Sequence, residues 1–336
     1  MPQDRPIQYR PLSASGPRVA SIGLGCMSLS GIYGAADDEQ SVALIRHAVE
    51  RGIDHLDTSD MYGWGHNETV VGQAIRGRRN QVFLATKFGQ TKPPEGQAGQ
   101  AGNGVNGRPD YVIAACEASL KRLGTDRIDL YYQHRVDPAV PVEETVGAMG
   151  RLVEQGKVRY LGLCEAHPER IARAHKEHRL NAVQTEYSLL YREEAEETRA
   201  VTRKLGIAFV AYSPLGRGFL TGALDTLADI DGRRAQHPRF QPVNFDKNRA
   251  LVARIEELAR ARGCTPAQLT LAWLLAQGDD VVAIPGTRRI DRLDENSDAM
   301  GLTLTAAEVA EIAEAVPKGA AAGTRYPAGG MKGVYL

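Results

Sequence analysis

Four ionisable side chains close three successive apolar runs: Asp57 and Tyr62 in IDHLDTSDMYG, Lys87 in VFLATKFG and His134 in IDLYYQHR. Each run reads as a strand that stops on a group able to hold or move a proton. If the strands are parallel neighbours, the four groups meet at one rim. Reducing a carbonyl takes a hydride to carbon and a proton to oxygen. A phenol with an unperturbed pKa of about 10 is a weak acid at neutral pH. A neighbouring ammonium favours phenolate and is expected to lower that value. Lys87 supplies the charge, Asp57 holds Lys87 and offsets part of its desolvation cost, and His134 donates a hydrogen bond to the oxygen as charge builds there. That is general acid catalysis with oxyanion stabilisation, each typically worth about 10²–10³-fold. Taken singly, Asp57 reads as a turn residue, Lys87 as a solvated strand end, Tyr62 as packing and His134 as a satisfied histidine. Their joint occurrence at consecutive strand ends favours chemistry.

The elements that must position them form a strand-then-helix alternation repeated about eight times. VASIGLG (19–25), GIDHLDTS (52–59), QVFLATKF (81–88) and RIDLYYQH (127–134) read as strands 1 to 4. VRYLGLCEA (158–166), NAVQTEYSLL (181–190), IAFVAYSPLG (207–216) and DVVAIPGT (280–287) read as strands 5 to 8. Helices are expected over 38–51, 67–76, from Pro109 to Gly124, and over 141–156, 168–178, 193–205, 290–299 and 305–316; proline suits a first helical turn. Such regular alternation in 336 residues predicts an α/β fold, one (β/α)8 TIM barrel as a single domain over residues 1–336, with a doubly wound sheet as runner-up.

Two long interruptions, 89–110 after strand 3 and 217–245 after strand 7, fall on the C-terminal face, where barrel enzymes place their sites. The glycine-rich 95–107 stretch reads either as a lid or as a surface loop without a ligand. Within it, Gly102, Gly104 and Gly107 fit G-x-G-x-x-G but follow no strand, so the dinucleotide fingerprint is rejected. GLGCMS (23–28) has the strand and lacks the third glycine.

Lys+Arg and Asp+Glu both number 41, which gives no electrostatic reason to expect nucleic acid or a charged membrane as partner; the expected partner is a small molecule. The amino-terminal MPQDRPIQYR lacks a signal peptide's apolar core, and no apolar run nears the ~20 residues of a membrane span. Cys26, Cys116, Cys164 and Cys264 are scattered, so reduced thiols in a cytoplasmic protein are expected, with no metal site.

The segment from Gly52 through Asp57 and Tyr62 to Gly63 resembles the signature of the aldo-keto reductases. So do Thr86-Lys87-Phe88-Gly89, Asp129 to His134, and Ile284-Pro285-Gly286-Thr287 with Glu295-Asn296, in the family's order from about residue 19 to 300. The resemblance is to the short-tailed bacterial and plant branch. It implies a barrel that binds NADP(H) in extended form without a Rossmann fold. By position, Tyr62 is then the proton donor, Lys87 and Asp57 tune it, and His134 orients the carbonyl. Gln184 falls where the nicotinamide carboxamide is held, and Tyr212 where an aromatic stacks on the ring. Ser213, Leu215, Gly216 and Arg217 fall where the pyrophosphate is wrapped. Gly286, Thr287, Arg288 and Arg292 fall at the adenosine 2′-phosphate, and Glu295 and Asn296 at the adenine. Gly25, Cys26 and Met27, closing strand 1, join the cofactor set. The residues suit these roles: a flat aromatic stacks, glycines at 216 and 218 admit phosphate to backbone N–H groups, and arginines four apart share a helix face. One departure is Cys164-Glu165 after strand 5, where the family usually has serine followed by asparagine or glutamate. Cys164 either contributes a weak hydrogen bond to the carboxamide, with Gln184 carrying more of it, or packs beneath the ring.

An NADP-dependent reductase of aldehydes or ketones, reversible toward alcohols, is the leading reading. A barrel lyase using Lys87 as a Schiff-base amine is disfavoured because Asp57 keeps that lysine protonated. Some barrels of this family look like cofactor-sensing regulatory subunits of ion channels, which is the third reading. Tyr33, Trp64 and Arg135 are candidate substrate contacts, with Met27 and Phe219 as further wall candidates, and aromatics suit an apolar or aryl substrate. The tail (317–336) and the oligomeric state are not legible.

Overall fold

The structure, a computed structural model, describes residues 6–31, 36–92, 104–230 and 232–336. Eight parallel strands follow one another in sequence order around one sheet. They are β1 (Leu24–Gly25), β2 (His55–Asp57), β3 (Phe83–Phe88), β4 (Ile128–Gln133), β5 (Val158–Cys164), β6 (Ala182–Glu186), β7 (Ala208–Tyr212) and β8 (Val281–Ile284). Ile22 bridges to Ala283, the Gly23 amide donates to the Ala283 carbonyl (2.8 Å) and the Ala283 amide to the Ser21 carbonyl (2.9 Å). These contacts bring the first strand against the last, so the sheet is a barrel and the doubly wound alternative falls. The seam requires glycine. A Cβ on Gly25 would lie 2.7 Å from the Ile284 carbonyl oxygen, and one on Gly286 2.9 Å from that of Gly25.

Residues 19–25 do not form one strand. Arg18–Ala20 turns back on Tyr9–Pro11 as an antiparallel hairpin, and only Leu24–Gly25 joins the barrel. Leu12 and Val19 are buried and pack against Phe83, Leu130, Val210 and Val282 inside the barrel. The hairpin thus supplies the floor plug, and a proline- and serine-containing turn had hidden its first strand.

Helices follow the strands: α1 (Asp38–Glu50), α2 (His66–Ile75), α3 (Pro109–Leu123), α4 (Val142–Glu154), α5 (Pro168–Glu177) and α6 (Glu193–Leu205). The proline openings of α3 and α5 and the left-handed Gly124 that closes α3 match the sequence signals. After β7 the sequence reading ended its interruption at 245 and assigned no helix before strand 8. The structure has two there, α7 (Pro242–Arg262) and α8 (Pro266–Leu275). α8 is buried on every side, so it carries no amphipathic stripe to read. Thr265 and Gln268 close its start as a capping box. α9 (Ile290–Asp298) and α10 (Ala306–Ala315) follow, and a one-turn α11 (Ala328–Met331) lies in the tail. Gln90–Thr91 pairs with Gly104–Val105 at the base of the first interruption; most of the 95–107 stretch lies outside the described residues.

Candidate active site

Side chains of a barrel strand alternate between the interior and the helices. Phe83 and Ala85 face the interior while Leu84 and Phe88 pack toward the helices, which makes Lys87 the topmost inward residue of β3. The same alternation ends β2 on Asp57 and β7 on Tyr212, carries Leu130 and Tyr132 up to His134 beyond β4, and puts Cys164 and Gln184 inward on β5 and β6. Reactive groups therefore form the top layer of a core that is otherwise apolar.

The Lys87 ammonium is fully buried and spends its three donors on three oxygens: a carboxylate oxygen of Asp57, the Thr58 carbonyl (2.9 Å) and the Tyr62 hydroxyl (3.3 Å). Tyr62 Oη thus accepts from Lys87, and its own proton is left for the cavity. The second Asp57 oxygen accepts from Gln184 Nε2 (2.8 Å). The Tyr62 and His134 rings meet edge to face at 5.9 Å. His134 Nδ1 lies 3.1 Å from Ser59 Oγ. With the serine hydroxyl donating to Nδ1, the imidazole keeps its N–H at Nε2.

The electrostatics differ from the sequence expectation in one respect. The Tyr62 phenol is not made more acidic; it is pushed up to about 12. Burial raises it, and although Lys87 acts in the opposite direction, the loss of solvent wins. Burial pulls the Lys87 ammonium down, but Asp57 and its neighbours pull it up further, so it stays charged. Burial, then the charges of Arg135 and Lys87, hold His134 well below the ordinary histidine value, so it is neutral. The arrangement is a neutral phenol, a neutral imidazole and a fixed cation.

These groups open on a cavity of 770 Å³. Its wall takes in Asp57, Tyr62, His134 and Arg135, then Gly25, Met27, Gln184, Tyr212, Ser213, Leu215 and Arg217. The wall also includes Gly286, Thr287, Arg288, Arg292, Glu295 and Asn296. Lys87 lies beneath the wall, behind Tyr62. Cys26, Cys164 and Gly216 are buried and absent from the wall; burial pushes the Cys164 thiol up to about 12, which keeps it neutral. Trp64 is half-buried off the cavity. Phe219 packs against Phe240 (5.1 Å) and Phe245 (5.3 Å) as a loop anchor. Tyr33 lies outside the described residues. Arg288 precedes α9, and Arg292 pairs with Glu295.

The sequence reading missed a second buried layer. Glu165 is buried with a left-handed backbone (φ 53°). Its carboxylate receives both guanidinium arms of Arg325 (2.6 and 2.7 Å), the Tyr212 hydroxyl (2.7 Å) and the Glu186 amide (2.9 Å). Tyr326 bonds the Tyr212 hydroxyl (2.9 Å) and lies on the Arg217 guanidinium (4.9 Å). The Leu336 carbonyl accepts from the His167 amide (2.7 Å). The tail is therefore tied down and walls one side of the cavity. Only Glu165 hinted at this, because a carboxylate at an inner strand end demands a cation.

No helix among the described residues is long and apolar enough to cross a membrane, and no cluster of metal-ligating side chains occurs among them. Comparison with known proteins returns one family repeatedly. The model of the aldo/keto reductase family matches residues 21–317. A probable aldo-keto reductase of Glycine max is 47% identical over 324 residues, spanning 95% of this chain and 92% of that protein. A glycerol dehydrogenase of Gluconobacter oxydans superposes with a TM-score of 0.83 at 29% identity, over 91% of this chain and 94% of the other. An aldo-keto reductase of Klebsiella pneumoniae in complex with NADPH superposes with a TM-score of 0.72 at 28% identity, over 93% and 96%. With the match running through all eight barrel strands, this chain belongs to the aldo/keto reductase family, oxidoreductases that use NAD(P)H on small carbonyl compounds.

Proposed function

We propose that the protein reduces aldehydes or ketones to alcohols, reversibly, with NADP(H) as cofactor and Tyr62 as proton donor. The carrying observation is the lysine that gives one of its three N–H bonds to the Tyr62 oxygen from behind, leaving the phenolic proton to the cavity.

The cavity suits a dinucleotide. A cradle at Gly286, where a Cβ would strike the Gly25 carbonyl, shares the cavity wall with Arg288 and Arg292, and a flat ring, Tyr212, shares it with the proton donor. Gln184 would hold the carboxamide and Tyr212 would stack on the ring. Ser213, Leu215 and Arg217 would face the pyrophosphate, while Arg288 and Arg292 would take a 2′-phosphate. That last contact favours NADP(H) over NAD(H). The relative from Klebsiella pneumoniae, solved with NADPH, supports the same choice. When bound, the nicotinamide supplies the hydride.

This chain's own residues do the rest. His134 Nε2–H and the Tyr62 hydroxyl grip the carbonyl oxygen. As negative charge grows there, the phenolic proton passes to it, because an alkoxide is a far stronger base than a phenolate. Lys87 stabilises the phenolate left behind, and Asp57 keeps Lys87 from moving. Lys87 itself is no nucleophile: it is charged, and all three donors are engaged. The test is oxidation of NADPH with 4-nitrobenzaldehyde, followed by its absorbance. We expect turnover in the wild type and a loss of about 10³-fold in kcat for Tyr62→Phe. A Phe variant with the wild-type rate defeats the assignment.

A further inference from the structure

Three well-buried arginine side chains near the cavity are paired with carboxylates. Arg217 and Arg239 share Glu186, and Arg325 holds Glu165. Arg135 differs. It follows His134 directly, is half-buried and lines the cavity. A guanidinium has five donors. Here the one hydrogen bond to a described residue is from Nη1 to the His134 carbonyl (2.8 Å). Among the described residues no carboxylate forms an ion pair with it. Glu165 is near enough to act on it, but both Glu165 oxygens are held by Arg325. The two side-chain carboxylates on the cavity wall are also taken, Asp57 by Lys87 and Glu295 by Arg292. Of its other electrostatic neighbours, Tyr212 and Cys164 are kept neutral by burial. A guanidinium that lines a cavity and gives the described residues a single hydrogen bond is placed to anchor an anionic ligand. The planar fork matches a carboxylate, and one guanidinium balances its single charge, whereas a phosphate monoester carries nearer two.

We propose that Arg135 recognises a carboxylate carried by the carbonyl substrate, so that the preferred substrates are oxo-acids. This rests on the reductase reading, because Tyr62 and His134 hold the carbonyl oxygen while Arg135, one residue beyond His134, holds the substrate's other end. It also sharpens the expectation of an apolar or aryl substrate: a ring is accommodated, but a ring or chain bearing a carboxylate is preferred.

The test uses two aldehydes that share a ring and differ in charge, 4-carboxybenzaldehyde and 4-nitrobenzaldehyde. Each is titrated calorimetrically into the protein saturated with NADP⁺, where no hydride is available, and each is then assayed with NADPH. We expect the wild type to bind the carboxy compound about ten- to a hundredfold more tightly, the range for a charge-assisted hydrogen bond, with the gain expressed in KM. Arg135→Gln should bring the ratio near one, and Arg135→Lys, which keeps the charge without the fork, should lie between. No preference in the wild type, or a preference that survives in Arg135→Gln, overturns the proposal. A calorimetric preference without turnover of either aldehyde supports it and counts against the reductase reading alone.

Discussion

Two buried ion pairs sit near the mouth of this barrel, and they are built for different ends. Lys87–Asp57 and Arg325–Glu165 each remove a full positive and a full negative charge from water; no side chain in either pair is more than 3% exposed. Charge for charge they are alike. The lysine is a compact cation with three diverging donors, and it has one to give to a phenol. The arginine lays both arms of its planar fork on the Glu165 carboxylate, and one arm also reaches Glu194 (3.2 Å). The first pair points its surplus into chemistry. The second fastens residues 160 positions apart and, through Tyr212 and Tyr326, fixes the tail against the cavity wall.

The largest effect expected from breaking this comparison is at Lys87. Lys87→Met removes the cation behind the phenol and leaves Asp57 with Gln184 alone. We expect kcat to fall by about 10³-fold and stability by about 3–5 kcal/mol, read by steady-state assay and by denaturant unfolding. Adding Asp57→Asn should return most of the stability and none of the activity. Recovery of activity in that double variant would show that the cation matters only as a counter-charge.

Arg325→Met should cost a similar 3–5 kcal/mol or so, because Glu165 is left buried without its cation. Its effect on kcat should be far smaller than that of Lys87→Met, since no described atom of Arg325 touches the tetrad. Glu165→Gln with Arg325→Met should regain most of the stability. A single Arg325→Met that loses as much kcat as Lys87→Met would erase the distinction between the two pairs.

The two pairs also differ in how far they can be read from sequence. Asp57 and Lys87 end consecutive strands, and strand period two with barrel order is enough to bring them together. The four catalytic candidates, the barrel and most of the helices were legible for that reason. Arg325 lies in a glycine-rich tail with no periodicity, and nothing local states that it reaches Glu165. The hidden hairpin strand at Tyr9–Pro11 is only three residues long, and α8 is apolar on all faces; both lack a pattern that separates them from their surroundings. The direction of the Tyr62 shift was misjudged for a physical reason. The charge on Lys87 is written in the sequence, whereas the depth at which the phenol is buried is a property of the packed fold.

That misjudged direction leads to the smallest expected effect, in the pH profile of kcat/KM for reduction. This parameter reports ionisations of the enzyme before it meets the carbonyl. Reduction needs Tyr62 protonated, so activity is present below its folded pKa and lost as pH rises through about 12. It needs His134 neutral with its proton on Nε2, which holds throughout the range above the ordinary histidine value, because its own pKa is depressed. Lys87 is shifted upward and stays charged. One neighbour does titrate in range: burial raises Asp60 to about 7, and its carboxyl lies 3.3 Å from Ser59 Oγ. As Asp60 ionises it competes with His134 Nδ1 for the serine proton, which weakens the hold on the imidazole without removing it. We therefore expect a shallow fall of a few-fold at most across about pH 7, absent in Asp60→Asn, and then a level line to about pH 10. Had Lys87 made the phenol more acidic, kcat/KM would drop tenfold per pH unit somewhere between about pH 8 and about pH 10. Such a drop, retained in Asp60→Asn, would mean that the ammonium outweighs burial after all, and that the lysine acts by acidifying the phenol as well as by stabilising the phenolate once the proton has gone.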